Sequence, residues 1–278
     1  MLKDILNFYR MNSWIKSLGL CLLGLTAKEI VILSNPLLFV LGVVQACFLF
    51  SFMYSFHDLS DYISEKRGHF IGNLIKKSIL SKKLAFVFSM VPLILSIVIL
   101  ISNFSLNYLI VYLTFIIAVI LYAAPKIRLG DIPIVDVVFN ILMFSLILLQ
   151  SYFFVNDLIN QKMLFFLIWT IFYIFSLEII HQISHFKEDK RSTAKFLGLK
   201  KSMDLLKMSF LISATFGVFI FISSPSLMIY SLIMIIGSFI RFFYILRINQ
   251  KADFGRLRNR LGGILEGSLY FILNILGL

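Results

Sequence analysis

Two short polar segments interrupt an otherwise apolar chain, and each places carboxylates beside basic residues. The first polar segment covers residues 57–67, with the sequence HDLSDYISEKR, and the second polar segment covers residues 181–191, with the sequence HQISHFKEDKR. Each of them follows a long apolar stretch. Because ionisable groups are costly at the depth of a membrane, a cluster of them there predicts a functional site.

The carboxylates of the first polar segment share one face if the preceding helix continues into it. Asp58, Asp61 and Glu65 stand at i, i+3 and i+7, the repeat of a helical face. A second stripe of polar side chains has the spacing i, i+4, i+7 and i+11: Glu178, Gln182, His185 and Asp189. The sequence therefore predicts that carboxylates gather at one membrane boundary.

Carboxylates near hydrocarbon repel one another and take up protons unless a cation neutralises them. Oxygen ligands favour Mg²⁺, which bridges one or two carboxylates to substrate phosphates. Several basic residues are predicted on the same side, where they could bind phosphate oxygens: Arg67, Lys76, Lys77, Lys126, Arg128, Lys190, Arg191 and Lys195. The pattern favours a diphosphate site, although each basic residue alone also fits the cytoplasmic face of any membrane protein.

The elements that must position these groups are predicted to be membrane-spanning helices. The chain has 278 residues, 60% of them hydrophobic, with a mean hydropathy of +0.95. Such values are typical of a polytopic membrane protein rather than a soluble domain. Nine apolar stretches are long enough to span: residues 17–33, 36–57, 84–103, 107–123, 133–154, 163–182, 206–222, 226–245 and 261–278. We expect a single all-α transmembrane domain over residues 1–278.

The distribution of basic residues predicts the orientation of this domain. With a cytoplasmic N-terminus and nine spans, only Lys28 and Lys162 of the 26 Lys and Arg residues fall on the outer side. Both polar segments then face the cytoplasm. The net charge of +12 indicates topology and contact with anionic lipid, not binding of nucleic acid. We therefore expect a multi-pass protein of the cell membrane with its active site on the cytoplasmic side.

The chain resembles the UbiA superfamily of intramembrane prenyltransferases. The family's first motif, Asn-Asp-x-x-Asp-x-x-x-Asp, is similar to residues 57–65, and its second, Asp-x-x-x-Asp, to residues 185–189. The Tyr-x-x-Pro motif with its basic residues is similar to YAAPKIR at 122–128, and IPIVD at 132–136 looks like the branch that modifies long isoprenoids. Other similar stretches are RMNSWIK at 10–16, KSILSK at 77–82 and STA at 192–194 followed by Gly198.

The resemblance implies a ring of nine helices around a central cavity, and Mg²⁺-assisted transfer of an isoprenyl group from an allylic prenyl diphosphate to a lipophilic acceptor. The implied catalytic residues are Asp58, Asp61 and Asp189. The implied Mg²⁺ ligands are Asp58, Asp61, Glu65 and Asp189. The implied diphosphate-binding residues are Lys16, Arg67, Lys77, Lys126, Arg128 and His185. Aromatic rings that could stabilise developing positive charge are Phe52, Tyr54, Tyr122, Phe172 and Tyr173.

Three residues depart from the family motifs and leave other functions open. His57 replaces the leading Asn, Glu65 replaces the third Asp, and His185 replaces the first Asp of the second motif. These changes are compatible with terpene cyclisation, a sugar-phosphate donor such as a phosphoribosyl group, or loss of catalysis on the same scaffold. The spacing of His181, His185 and Asp189 would also suit a transition-metal hydrolase. A transporter or a non-catalytic membrane protein is the remaining alternative.

Overall fold

The structure is a computed structural model that describes residues 7–9, 18–26, 35–65, 70–186, 191–223 and 228–247. Within these ranges every regular element is helical. The α-helices, in chain order, are α1 (Leu18–Thr26), α2 (Pro36–Glu65), α3 (Phe70–Lys76), α4 (Lys82–Ser102), α5 (Leu106–Ala123), α6 (Val135–Phe153), α7 (Gln161–Ser184), α8 (Thr193–Leu197), α9 (Leu199–Ser223) and α10 (Met228–Arg247). A single 3₁₀ turn, Leu129–Asp131, lies between α5 and α6.

Seven of the described helices are long and apolar enough to cross a membrane. They are α2, α4, α5, α6, α7, α9 and α10, and they match the second to eighth predicted spans. The first predicted span is described only as the nine residues of α1. The ninth, at 261–278, lies outside the described residues. The prediction of an all-α polytopic membrane fold is confirmed.

Polar residues before the helices explain where several of them begin. The side chain just outside the helix accepts a hydrogen bond from an amide of the first turn, which satisfies a donor that the helix itself leaves open. This arrangement is found at Ser81 before α4, Ser105 before α5, Asn160 before α7 and Ser192 before α8. Helix α5 ends just before Pro125, as expected for a residue that disfavours helix immediately before it.

Among the long helices, α6 and α2 pack against the most neighbours. Helix α6 packs against α1, α5 and α7, while α9 packs between α7 and α10. Helix α2 packs against α1, α4 and α5. Gly24 permits the close approach of α1 to α6, because an added Cβ would collide with the Leu148 carbonyl oxygen.

The apolar core joins side chains of the membrane-spanning helices in one large cluster. Its largest fully buried side chains include Trp169, Tyr108, Tyr152, Phe50, Phe52, Phe115 and Phe166. Two smaller clusters lie nearer the polar segments. One contains Leu59, Ile71 and Ala85, and it seats the short helix α3 against α2 and α4. The other joins α7 to α9 through Ile179, Ile183, Leu206 and Phe210.

Candidate functional site

Residues 57–65 of the first polar segment are an extension of α2, which continues without a break to Glu65. Asp58 is fully buried on this extension, and its Oδ2 accepts a hydrogen bond of 2.8 Å from the amide of Ile71. Ile71 belongs to the first turn of α3. A carboxylate at this position accepts a hydrogen bond from an amide that the helix leaves without a partner, and the positive end of the helix dipole stabilises its charge. Asp58 therefore holds the start of α3 against α2.

Asp61 lies one helical turn further along α2 and takes part in an ionic cluster. Its Oδ1 lies 3.2 Å from Nη2 of Arg128, and its Oδ2 lies 3.6 Å from Nδ1 of His57. The same guanidinium lies 2.9 Å, through Nε, from Oδ2 of Asp131. The Asp61 side chain is 22% exposed and that of Arg128 is 16% exposed. A carboxylate and a guanidinium thus meet at a place that solvent reaches.

The backbone at Arg128 has an unusual conformation. Its φ of 41° and ψ of 54° lie in the left-handed region, which residues with a Cβ seldom adopt. The turn is closed by a 2.9 Å hydrogen bond from the amide of Arg128 to the carbonyl oxygen of Ala124. Strained residues of this kind are concentrated at functional sites, where the surroundings hold them in place. Here the left-handed conformation accompanies a guanidinium that lies between the carboxylates of Asp61 and Asp131.

Helices α2 and α5 are joined beside this cluster. The ring of His57 stacks on that of Tyr122, with centroids 5.5 Å apart and planes 26° apart. The hydroxyl of Ser60 donates to the carbonyl oxygen of Ala123. The hydroxyl of Tyr122 accepts a 3.2 Å hydrogen bond from Nδ2 of Asn140, on α6. The ends of three helices are therefore connected around Tyr122.

A second cluster is buried where α6, α7 and α8 meet. The Asp136 carboxylate accepts a hydrogen bond from the Thr193 hydroxyl at Oδ1 and one of 2.8 Å from Nε2 of Gln182 at Oδ2. Oε1 of Gln182 accepts a 3.0 Å bond from the amide of Ala194, and its Nε2 also lies 3.2 Å from Oε1 of Glu178. This cluster is built from neutral donors around a buried carboxylate.

The other described residues that the sequence indicated are spread around these clusters. Lys77 is exposed in the turn after α3, and Lys126 is exposed in the turn after α5. His185 follows the end of α7, with its ring 4.9 Å from that of His181. Lys16, Arg67 and Asp189 lie outside the described residues, as does the side chain of Glu65.

Metal binding by the described residues alone involves at most two carboxylates at one place. No group of three or more His, Cys, Asp or Glu side chains with metal-binding geometry occurs in the described part of the chain. Two of the four expected Mg²⁺ ligands, Asp58 and Asp61, are described, and both lie on α2. For the alternative transition-metal site, the described pair is His181 and His185, and Asp189 falls outside the described ranges.

Sequence reasoning missed three features of this region. Gln182 contacts Glu178, as their spacing indicates, but its burial and its hydrogen bond to Asp136 were missed. Asp131 was missed as the second partner of Arg128, although its spacing of three residues is a recognisable signal. Arg241 was missed on α10, where it is 4% exposed and lies 5.1 Å from the ring centroid of Tyr173. A lone Arg in an apolar stretch would have been the signal.

These observations define a polytopic membrane protein with carboxylates and a guanidinium gathered at one end of its helices. A sequence profile of the UbiA prenyltransferase family matches residues 74–261, which is more than half of the chain. The chain belongs to the UbiA prenyltransferase family. No curated protein sequence matches closely enough to count as a relative.

Solved structures share the fold over nearly the whole chain. A UbiA homologue from Archaeoglobus fulgidus bound to Cd²⁺ is 19% identical, with a TM-score of 0.74 and coverage of 97% of this chain and 99% of that one. A UbiA homologue from the same organism bound to GPP and Mg²⁺ is 18% identical, with a TM-score of 0.73 and the same coverage. A structure concerning digeranylgeranylglyceryl phosphate synthase in membranes is 17% identical, with a TM-score of 0.66, covering 100% of this chain and 99% of that one.

Proposed function

We propose that this family member transfers an isoprenyl group from an allylic prenyl diphosphate to a lipophilic acceptor inside the membrane. The observation that carries the proposal is the contact between Asp61 and Arg128 at the end of an apolar helix bundle. A carboxylate can bind a divalent cation, and a guanidinium can bind phosphate oxygens in a forked geometry. The two groups that a metal-bound diphosphate requires therefore lie side by side.

Mg²⁺ fits the donor set that α2 provides. Asp58 and Asp61 offer hard oxygen ligands one helical turn apart, and Mg²⁺ characteristically uses one or two carboxylates together with substrate phosphates. Structures of the Archaeoglobus fulgidus homologue bound to GPP or DMAPP with Mg²⁺ support the assignment. When bound, Mg²⁺ would supply positive charge to the departing diphosphate. We propose Glu65 and Asp189 as further ligands.

The described carboxylates differ in how easily they can take a new partner. Oδ2 of Asp58 is engaged by the Ile71 amide inside the protein. Asp61 is partly exposed and bound through an ion pair that substrate and metal can replace together. Asp61 would then hold the metal, and Arg128 would bind the diphosphate. We therefore propose Asp61 as the central catalytic carboxylate, and Asp58 and Asp189 as further catalytic residues.

The remaining basic residues would complete the binding of the diphosphate. Lys77 and Lys126 are exposed at the ends of α3 and α5, so their long side chains can reach toward the ionic cluster. We propose the same function for Lys16, Arg67 and His185. In the reaction, the bond between the allylic carbon and oxygen breaks, and its electron pair leaves with the diphosphate. The acceptor then bonds to that carbon and releases a proton.

Aromatic faces would stabilise the positive charge that develops on the allylic carbon. Tyr122 is suited to this because its ring packs against His57, next to Asp61. Rings attract cations through the negative charge of their faces. Phe52, which is buried, is a candidate deeper in the bundle. The ring of Tyr173 already contacts the Arg241 guanidinium and stacks on Trp169, so it is less suited to this role.

We further propose that the chain is one transmembrane domain with the N-terminus and the ionic cluster on the cytoplasmic side of the cell membrane. The support is the distribution of basic residues, nearly all of which fall on one side of the predicted spans. Anionic lipid would contact this basic face.

The test is a single-turnover incubation of the purified, detergent-solubilised protein with geranyl, farnesyl and geranylgeranyl diphosphates and a membrane lipid extract. Diphosphate release and new lipid products are followed with and without Mg²⁺. Mg²⁺-dependent release with a prenylated adduct supports transfer. If a cyclised hydrocarbon were the only product, the activity would be terpene cyclisation instead of transfer. If no donor released diphosphate, the proposal would be overturned. The Asp204→Asn variant, which alters an exposed carboxylate paired with Lys207, is the matched control.

A further inference from the structure

Asp136 is a buried carboxylate whose two oxygens are bound by protein donors. It is the second residue of α6 and is 6% exposed. Oδ1 accepts from the Thr193 hydroxyl and, at 2.6 Å, from the amide of Val137. Oδ2 accepts from Gln182 at 2.8 Å. Because both oxygens already accept hydrogen bonds from protein donors, we expect this carboxylate to act on the arrangement of the protein.

On one side, these bonds hold the chain before and after the second polar segment. Gln182 lies in the last turn of α7, and Thr193 is the first residue of α8. Gln182 also accepts the 3.0 Å bond from the amide of Ala194, so α7 and α8 are tied directly as well as through Asp136. The relative placement of residues 182 and 193 therefore depends on one carboxylate of α6.

The start of α6 is held by the same cluster. The amide of Ile134 donates a 2.6 Å hydrogen bond to Oγ1 of Thr193. Ile134 has a φ of 72°, which is strained for a β-branched residue. A strained backbone persists only where neighbouring groups hold it. Thr193 thus fixes both the carboxylate of Asp136 and the backbone that leads into it.

On the other side, α6 is connected to the first polar segment. Nδ2 of Asn140 lies 3.1 Å from the carbonyl oxygen of Asp136 and 3.2 Å from the hydroxyl of Tyr122. Tyr122 stacks on His57, whose Nδ1 lies 3.6 Å from Asp61. A chain of contacts therefore runs from the first turn of α6, which the Asp136 carboxylate anchors, to the ionic cluster, and its first link is the backbone carbonyl oxygen of Asp136.

From these contacts we propose that Asp136 is a positioning residue that keeps the two polar segments in register, that is, in a fixed position relative to each other. It acts on the second polar segment through Gln182 and Thr193. It acts on the first through α6, by way of Asn140 and Tyr122. The inference rests on the proposed function, since register matters for catalysis only if both segments act on one metal-bound diphosphate. Catalysis of this kind is sensitive to displacements of about 1 Å, which can lower rates by about 100-fold.

The first test compares Asp136→Ala with Asp136→Asn in the Mg²⁺-dependent release of diphosphate. We expect the Ala variant to lower kcat by about 10- to 100-fold and to raise the half-saturating Mg²⁺ concentration by about 10-fold, as for groups that orient metal ligands. The Asn variant keeps an acceptor for Gln182 and offers a donor to Thr193, and it loses the acceptor for the Val137 amide, so it should retain more activity than the Ala variant. A purely structural role would reduce the active fraction and leave half-saturating Mg²⁺ unchanged, which would overturn the inference.

The second test measures the distance between the two polar regions in the absence of turnover. Spin labels on cysteines placed at Asn73 of α3 and Phe196 of α8, both exposed, report the distance between the two polar regions in protein free of Mg²⁺ and substrate. The background replaces Cys21 and Cys47 with Ala. We expect Asp136→Ala and Asn140→Leu to broaden or shift the distance distribution. An unchanged distribution in both variants would overturn the proposal even if either variant lost activity.

The third test is the double variant. Because Asp136 and Asn140 lie on one chain of contacts, removing both should cost little more than removing the more important one. Additive losses would mean independent roles and would contradict the inference. Ser176→Ala is the matched control, because it removes a buried 2.7 Å hydrogen bond between α7 and α9 that contacts neither polar segment. Failure of the wild-type protein to release diphosphate would instead overturn the proposed function.

Discussion

The two polar clusters at the end of the bundle are built in opposite ways. The cluster of Asp61, Arg128 and Asp131 consists of charged pairs that solvent reaches. The cluster of Asp136, Gln182 and Thr193 has one carboxylate bound by neutral donors, and all three side chains are buried. Exposed ion pairs contribute little stability and exchange partners readily, whereas buried hydrogen bonds are costly to break. One cluster is suited to binding substrate, and the other to holding helices in place.

The largest expected effect is on turnover, and it distinguishes a substrate-binding cluster from a structural one. Asp61→Ala should abolish turnover, lowering the rate by about 1000-fold or more through loss of a transition-state interaction. Because Asp61 is partly exposed, the protein should remain folded and inserted in the membrane. Diphosphate release and thermal unfolding in detergent are the two measurements. A fully active Asp61→Ala protein would contradict the proposed mechanism.

Arg128→Gly separates activity from stability, because it removes the guanidinium and is compatible with the left-handed backbone at this position. Glycine adopts the observed φ of 41° without steric cost, so we expect the midpoint of thermal unfolding to be maintained or raised. Turnover should fall by about 100-fold, with a higher KM for the prenyl diphosphate. Arg128→Lys, which keeps the charge, should lose less. Equal loss of stability and activity in the Gly variant would show that Arg128 is mainly structural.

Thr193→Val tests the buried cluster. It removes the hydroxyl that bonds Asp136 and Ile134 and nearly preserves the volume of the side chain. We expect a loss of about 1–3 kcal/mol of stability, because a buried carboxylate and an amide lose a partner. The free energy of unfolding can be followed in detergent by denaturant titration. Thr193→Ser should restore the hydroxyl and most of the stability, and similar losses in both variants would point to packing instead.

The smallest effect is expected for Asp131→Asn. Asp131 is 41% exposed, and exposed ion pairs contribute about 1 kcal/mol or less. Arg128 would keep its contact with Asp61, so turnover should change by no more than about threefold. Steady-state kinetics at low and high salt measure this change. A large loss would show that Asp131 belongs with Asp61 in binding the substrate.

The sequence predicts the membrane spans and the helical placement of Asp58 and Asp61 well because both depend on local regularities. Hydropathy alone identifies seven described spans, and the spacing of Asp58 and Asp61 places them on one helix that continues past the apolar stretch. These features need only the helical period and the composition of neighbouring residues. The proposed chemistry follows from them together with the family resemblance.

The second cluster was not predictable because its bonds join distant parts of the chain. Asp136 is 46 residues from Gln182 and 57 residues from Thr193. Whether Gln182 turns toward α6 or toward the substrate depends on the rotation of α7, which spacing along α7 does not determine. The same holds for Arg128 and Asp61, which are 67 residues apart. Packing between helices decides these pairings.

The length of α2 has a consequence for how substrates reach the protein. Its 30 residues extend about 45 Å at about 1.5 Å per residue, whereas the hydrocarbon of a bilayer is about 30 Å thick. Its last turns, with Asp58 and Asp61, therefore reach the headgroup layer even with the usual tilt of about 20°. An amphiphile adopts the matching pose unaided, with its chain in the lipid and its charged head at this level. For the prenyl diphosphate donor that we propose, the bilayer would thus set the orientation before the encounter and reduce the search from three dimensions to two.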